Sequence, residues 1–217
     1  MIERPRTHAH EEAEMIADIY LRNLGLEWSQ LEGKKVLDIG AMNAAFENAA
    51  RRRGVEVTSI DKEFIEGDYA PPQDSHYVVA NATQLPFGDE TFDYAIAHTS
   101  VMNYIEQKYD FDKGYIKYFE GALREACRVL KADGQFRFTR TFLDEQELRE
   151  SDDDVVPEKE SDAYDEWLTA REYKFLEIIA KQVGFKELQV VAYTGELRER
   201  MKYDYNNKMT HYFVAVK

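Results

Sequence analysis

Lys35-Val36-Leu37-Asp38-Ile39-Gly40 is a short apolar run that closes on an acid and a glycine. Apolar runs of this length between turn signals read as strands buried on both faces. An Ala-rich stretch follows, Asn43 to Arg53, with helical spacing and Gly54 at its C′ position. Val55-Glu56-Val57-Thr58-Ser59-Ile60-Asp61 is then a second β-branched run. Strand, helix and strand in that order form a crossover unit, which places the two strands parallel in one sheet. The pattern repeats outward. His76 to Val79, Phe92 to Ala97 and Gln135 to Thr139 read as further strands, the last entered through an Asp133-Gly134 turn. Ile116, Phe119, Leu123, Ala126, Cys127 and Leu130 mark one face of a long helix, and 169–183 is another, ended by Gly184. Ahead of the first strand, Ala13, Ile16, Ala17, Tyr20, Leu21 and Leu24 mark a helix over 8–25. Two final runs, near 187–193 and 209–216, have no helical pattern between them and are expected to pair antiparallel. Alternation of this kind predicts an α/β fold with a parallel sheet covered on both faces.

The 217 residues and 25.4 kDa suit one domain over 1–217. With 44% hydrophobic and 32% charged residues, a disordered chain, a collagen-like fibre and a disulfide-stapled miniprotein are excluded. The net charge of -14 repels phosphate backbones, so neither DNA nor bulk RNA is the expected partner. Most of that charge is local: residues 144–166 hold 12 acids against Arg149 and Lys159. This acidic insert reads as a solvated connection, as a lid, or as a docking surface for a basic partner. Arg51-Arg52-Arg53 is a basic triplet at a helix end, placed against the helix dipole. The lone Cys127 reads as a small core residue, and no Cys/His spacing suggests a metal site. The start of the chain lacks the apolar run of a signal peptide, and no stretch of membrane-spanning length is apolar. A cytoplasmic protein without membrane contact is expected.

In an open parallel sheet, ligands bind beyond the carboxyl ends of the strands, where the strand order reverses. The polar residues cluster there. The first strand ends in Asp38-Ile39-Gly40, the second in Asp61, the third runs into Asn81-Ala82, and the fourth into His98-Thr99-Ser100. An acid closing the second strand is placed to accept both hydroxyl hydrogens of a ribose, and an amide at Asn81 can meet a nucleobase edge.

Five blocks carry a family resemblance: Val36 to Gly40, Val57 to Asp61, Asn81-Ala82-Thr83-Gln84-Leu85-Pro86-Phe87, Glu90 to Tyr94, and Leu123 to Gly134. In their order and spacing, over roughly residues 34–140, they resemble the signature blocks of class I S-adenosylmethionine-dependent methyltransferases. The resemblance implies a Rossmann-like three-layer sandwich whose seven-stranded sheet is mostly parallel with an antiparallel last strand. It implies S-adenosylmethionine as cofactor. Asp38 and the Gly40 backbone would lie beside its methionine portion, with Met42 close by. Asp61 would hold the ribose, and Lys62 would lie along the adenine face. Asn81 and the Ala82 amide would meet the adenine edge, and the His98 backbone would face the methionine end. The chain departs from the family where Asp-x-Gly-x-Gly-x-Gly is usual, reading Asp38-Ile39-Gly40-Ala41-Met42-Asn43-Ala44, and again at Asn81, where Asp is common.

The expected activity is methyl transfer to a small-molecule acceptor. Should the acceptor need to lose a proton, His98 or Tyr104 is the available base. Each has a plainer reading: His98 as a histidine held at a strand end, Tyr104 and Tyr109 as pocket walls, and Asp38 as a loop brace. No Asn-Pro-Pro-aromatic run, phosphate-binding loop or nucleophile elbow is present. A nicotinamide-binding Gly-x-Gly-x-x-Gly is ruled out by Met42 at its second glycine. Met42 and Ala44 also motivate the competing class, a non-catalytic methyltransferase-like module that binds a nucleoside or a protein.

Overall fold

The computed structural model describes residues 6–42, 44–63, 75–100, 114–139, 162–194 and 211–217. The chain runs α1 (Arg6–Asn23), α2 (Trp28–Leu31), β1 (Lys35–Ile39), α3 (Ala45–Arg52), β2 (Glu56–Asp61), β3 (Tyr77–Val79) and β4 (Phe92–Ala97). It continues through α4 (Gly114–Val129), β5 (Leu130–Thr139), α5 (Asp162–Val183), β6 (Glu187–Ala192) and β7 (His211–Val216). The seven strands form one sheet in the order β3-β2-β1-β4-β5-β7-β6. All neighbours pair parallel except β7, which lies antiparallel to both β5 and β6. This is the sheet expected from the sequence, including its antiparallel last strand.

Alternation along the strands divides the core in two. Leu37, Ile39, Ala95, Ala97, Phe136, Phe138 and Phe213 face α4 and α5, packing on Phe119, Leu123, Cys127, Leu176 and Ile179. Val36, Val57 and Ile96 face the other way, onto Ala17, Leu21 and Leu24 of α1, Leu31 of α2 and Phe46 and Ala49 of α3. Cys127 is thus a core residue, and burial pushes its thiol pKa up, away from reactivity. Arg52 and Arg53 at the end of α3 both reach Glu14 of α1. The arginines that oppose their own helix dipole therefore join two helices.

Several boundaries differ from expectation for local reasons. Helix α3 starts at Ala45, because Ala44 is left-handed at φ 57. Strand β5 starts at Leu130, opposite Phe92, and Asp133-Gly134 is an irregularity within the strand. There Asp133 has φ 61, and a Cβ on Gly134 would come 2.9 Å from the Lys131 carbonyl oxygen. Helix α5 begins at Asp162, so the last residues of the acidic insert are helical backbone; 144–161 lie outside the described residues.

Two polar ties recur in the blocks. Glu125 accepts from the Leu85 amide, and Arg128 donates to the Leu85 and Phe87 carbonyls and to Asp89, binding the 85–89 turn to α4. Asp93 accepts from the Lys35 amide and Lys131 Nζ, joining the start of β1 to β4 and β5.

Candidate functional site

From β1 the chain moves to β2 and β3 on one side, then returns to place β4 on the other side of β1. The crevice at the carboxyl ends of β1 and β4 is therefore the switch point, and the loops leaving β1, β2 and β4 meet there. Gly40 and Ala41 both donate their amides to the Ile60 carbonyl, at 2.8 and 2.9 Å, which draws the β1 loop over β2. The Met42 amide then donates to Asp61 Oδ2 at 3.0 Å. Tyr77 Oη, from β3, donates to the Met42 carbonyl at 2.9 Å. Burial, with Asp61 and Asp38 nearby, pushes the Tyr77 phenol up to about 12, so it remains a donor. The structure thus brings Asp38, Gly40, Met42 and Asp61 together.

Asp38 is buried, and neither carboxylate oxygen has a hydrogen-bond partner. Its pKa is pushed up to about 8, first by burial and then by the negative charges of Glu47 and Asp61. Ser59, its register partner on β2, is also buried with an unpartnered Oγ. Buried polar groups are nearly always satisfied, so unpartnered ones at the head of a crevice mark a place for a ligand's donors. Glu47, on the first turn of α3, is buried and accepts from Ser75 Oγ, the His76 amide and Arg51 Nη2. It anchors the chain that enters β3.

The backbone around the crevice is strained. Gly40, Met42, Ala44 and Thr99 all have positive φ (81, 47, 57 and 48). Three non-glycine residues in the left-handed region at one sheet edge is the pattern of a functional site. Gly40 has a steric need as well: a Cβ there would lie 2.1 Å from Ser100 Cβ. Ser100 Oγ donates to the Ile39 carbonyl, and the Thr99 amide donates to Thr139 Oγ1 at 2.9 Å. The Met42 side chain is 54% exposed, so its contribution to the crevice is made through the backbone.

His98 is 4% exposed. Its ring lies 4.3 Å from that of Tyr20, and its Nε2 lies 2.8 Å from Asn23 Nδ2. An amide nitrogen meets an imidazole nitrogen only as donor, so the ring is neutral with its lone pair at Nε2. Burial lowers its pKa to about 4. Asn81 is exposed, and its Oδ1 accepts from the Thr83 amide and hydroxyl, closing an Asx turn. Ala82 is buried in the core beside that turn, and Lys62 lies 3.7 Å from Glu63. Tyr104 and Tyr109 lie outside the described residues.

Glu47, Tyr77 and Thr139 were not singled out by the sequence. Glu47 could have been: an acid among Ala45, Phe46, Ala49 and Ala50, in an apolar face, asks for a buried partner. Tyr118, on α4, is also close enough to Asp61 for that charge to raise its pKa, after burial. Among the described residues no cluster of acids, histidines and cysteines could hold a metal ion, and no helix is long and apolar enough to cross a membrane.

Comparison with known proteins agrees with this geometry. A family model described as a methyltransferase domain matches residues 37–138, from β1 to the end of β5. An O-methyltransferase of Penicillium expansum is 30% identical over 109 residues, 45% of this chain. The chain spans only 39% of that relative's length. Among solved structures, a SAM-dependent methyltransferase from Archaeoglobus fulgidus superposes with TM-score 0.55 at 14% identity, covering 94% of each chain. A phosphoethanolamine N-methyltransferase of Haemonchus contortus, solved with S-adenosyl-L-methionine, has TM-score 0.55 at 19% identity, over 93% of this chain and 52% of its own. Strand order and the antiparallel β7 match the fold of these methyltransferases, and residues 37–138 are similar to a methyltransferase domain.

Proposed function

We propose that this protein transfers a methyl group from S-adenosylmethionine to a small-molecule acceptor, within one domain over 1–217. The observation that carries the reading is Asp61. It ends β2 at the switch point, and the Met42 amide fixes one carboxylate oxygen at 3.0 Å. A carboxylate held in this way is oriented to accept from ribose hydroxyls. The orphaned oxygens of Asp38 fit the other end of the cofactor, whose ammonium is a donor and a cation. Lys62 and the Asn81-Ala82 turn flank the β2 and β3 ends, where the adenine would lie, and the His98 backbone ends β4 beside the methionine portion.

Bound there, the cofactor supplies an electrophilic methyl group on a sulfonium. The chain's own part is to bind and align; no covalent step on a side chain is required. The charges of Asp61 and Glu47 give the crevice a negative field, which favours a cationic ligand over a neutral one. The His98 imidazole is enclosed and its pKa of about 4 makes it a weak base at neutral pH. The acceptor is therefore one whose nucleophile needs little help from that ring, with Tyr104 the other base. The Penicillium relative supports oxygen as the acceptor atom, and the Haemonchus neighbour supports a small polar metabolite.

Calorimetry with S-adenosylmethionine and its demethylated product tests the reading first. Micromolar binding is expected, and no binding at millimolar ligand refutes it. Methyl-labelled cofactor screened against phenols, carboxylic acids and small amines then identifies the acceptor class.

A further inference from the structure

We propose that Thr139 and Ser100 are positioning residues that clamp the left-handed turn after β4 and so aim its backbone at the cofactor. The inference rests on the cofactor reading above. Thr99 adopts φ 48, a conformation that a β-branched residue rarely takes. The turn is held from both sides. On the β5 side, the strand ladder ends at the Ala97–Phe138 pair. One step beyond, the Thr99 amide finds Thr139 Oγ1 at 2.9 Å. Thr139 is 1% exposed, so no water can readily take the place of its hydroxyl. On the β1 side, Ser100 Oγ donates to the Ile39 carbonyl, and the Ser100 Cβ fills the space above Gly40.

The two bonds link the strand ends on either side of β4 at the height of Asp38 and Gly40. What they fix is the direction of the backbone from His98 to Ser100. A strained turn held by the neighbours of its own strand, at the mouth of a crevice, is a pre-organised binding element. Release of the Thr99 amide lets the turn relax to an extended geometry, and the backbone groups facing the ligand then move with it.

The test compares Thr139→Val, which keeps the shape and loses the acceptor, with Thr139→Ser, which keeps the acceptor. S-adenosylhomocysteine affinity is read by calorimetry, the Thr99 amide by hydrogen exchange, and folding by thermal unfolding. Thr139→Val is expected to speed Thr99 exchange and to weaken binding about tenfold, while Thr139→Ser stays within about twofold of the parent. Ser100→Ala should weaken binding in the same sense without lowering the unfolding temperature of the core. Unchanged Thr99 exchange in Thr139→Val overturns the clamp. Faster exchange with parental affinity overturns the positioning role. Equal weakening by Val and Ser, in step with lost thermal stability, also overturns it in favour of plain packing. A parent that does not bind S-adenosylhomocysteine at all, with Thr99 exchange still dependent on Thr139, instead refutes the cofactor reading and the ligand role with it.

Discussion

Asp38→Asn should stabilise the free protein increasingly with pH while weakening its hold on the cofactor. Asp38 is 1% exposed, its oxygens have no partners, and Glu47 and Asp61 add negative charge nearby. Burial first, and then those two acids, raise its pKa from the ordinary 3.8 to about 8. A carboxyl with a raised folded-state pKa binds more protons in the folded than in the unfolded chain between those values. Stability therefore falls as pH rises through that window, by about 1.4 kcal/mol per unit. Between pH 5 and 8 the parent should lose on the order of 4 kcal/mol from this residue alone. Asparagine removes that slope. Its own buried N–H groups carry a cost of about 1–3 kcal/mol, but that cost does not vary with pH. The slope of the difference, not its sign at one pH, is thus the diagnostic quantity.

Urea unfolding of parent and Asp38→Asn at pH 5, 6, 7 and 8 measures it. The stability difference should grow toward alkaline pH, in favour of the variant. Profiles that stay parallel to within about 1 kcal/mol would show that Asp38 is not the strained, protonated group described above. Binding should move the opposite way, since a charged acceptor contributes about 1.5–3 kcal/mol to a hydrogen bond with a cationic donor. Cofactor capture by the parent at pH 7 should also release close to one proton, because the ammonium favours the ionised carboxylate. Calorimetric heats compared between phosphate and Tris buffers count that proton, and identical observed heats in the two buffers would refute the coupling.

Asp61→Ala should weaken cofactor binding roughly 30- to 1000-fold, because it removes the ribose acceptor and frees the Met42 amide; affinity within about threefold of the parent refutes the assignment. His98 has its pKa lowered from 6.5 to about 4 by burial, so stability should fall as pH drops from about 6.5 toward 4, the unfolded chain taking up the proton first. In NMR titrations the His98 ring should stay neutral above pH 5, and a midpoint near 6.5 would contradict its enclosure. Gly40→Ala meets Ser100 Cβ at 2.1 Å and has φ 81, so cofactor affinity and stability should fall together, the latter by about 2 kcal/mol or more. The added change Ser100→Gly should recover only the steric part, and full recovery would show that the positive φ costs nothing.

Most of the fold was legible because its signals are local. Phe92–Ala97 was read with both boundaries in place, and β1 and β2 to within a residue, since apolar runs between turn residues have few other uses in a chain of this composition. Asp133-Gly134 misled for the same reason. The pair has turn chemistry, yet the Phe92–Leu130 pairing continues the sheet through it. Within the candidate site, the positions of Asp38 and Asp61 were legible because sheet topology alone names the ends of β1 and β2. Glu47 and Thr139 were not, because what they do depends on partners far along the chain. Glu47 meets Ser75, 28 residues on, and Thr139 meets Thr99, 40 residues back. No pattern of spacing encodes such contacts; only the packed sheet does.

The departure at Met42 shows how much a glycine motif can conceal. Read as sequence, three glycines in series state three equal requirements for a missing side chain. The structure separates them. At Gly40 the requirement is space, since a Cβ would meet Ser100 at 2.1 Å. At Met42 and Ala44 it is conformation, with φ of 47 and 57, Ala44 buried and Met42 half in solvent. A left-handed residue that is not glycine costs roughly 1–2 kcal/mol. At Met42 two hydrogen bonds offset that cost, the amide to Asp61 and the carbonyl from Tyr77. Those bonds use the groups that a glycine would present, so the loop keeps its path over β2 while the methionine side chain points outward. The substitution therefore leaves the Asp61 carboxylate oriented as the proposed ribose contact requires. What the motif preserves here is a backbone course, and the one glycine it could not lose is the one packed against the β4 turn.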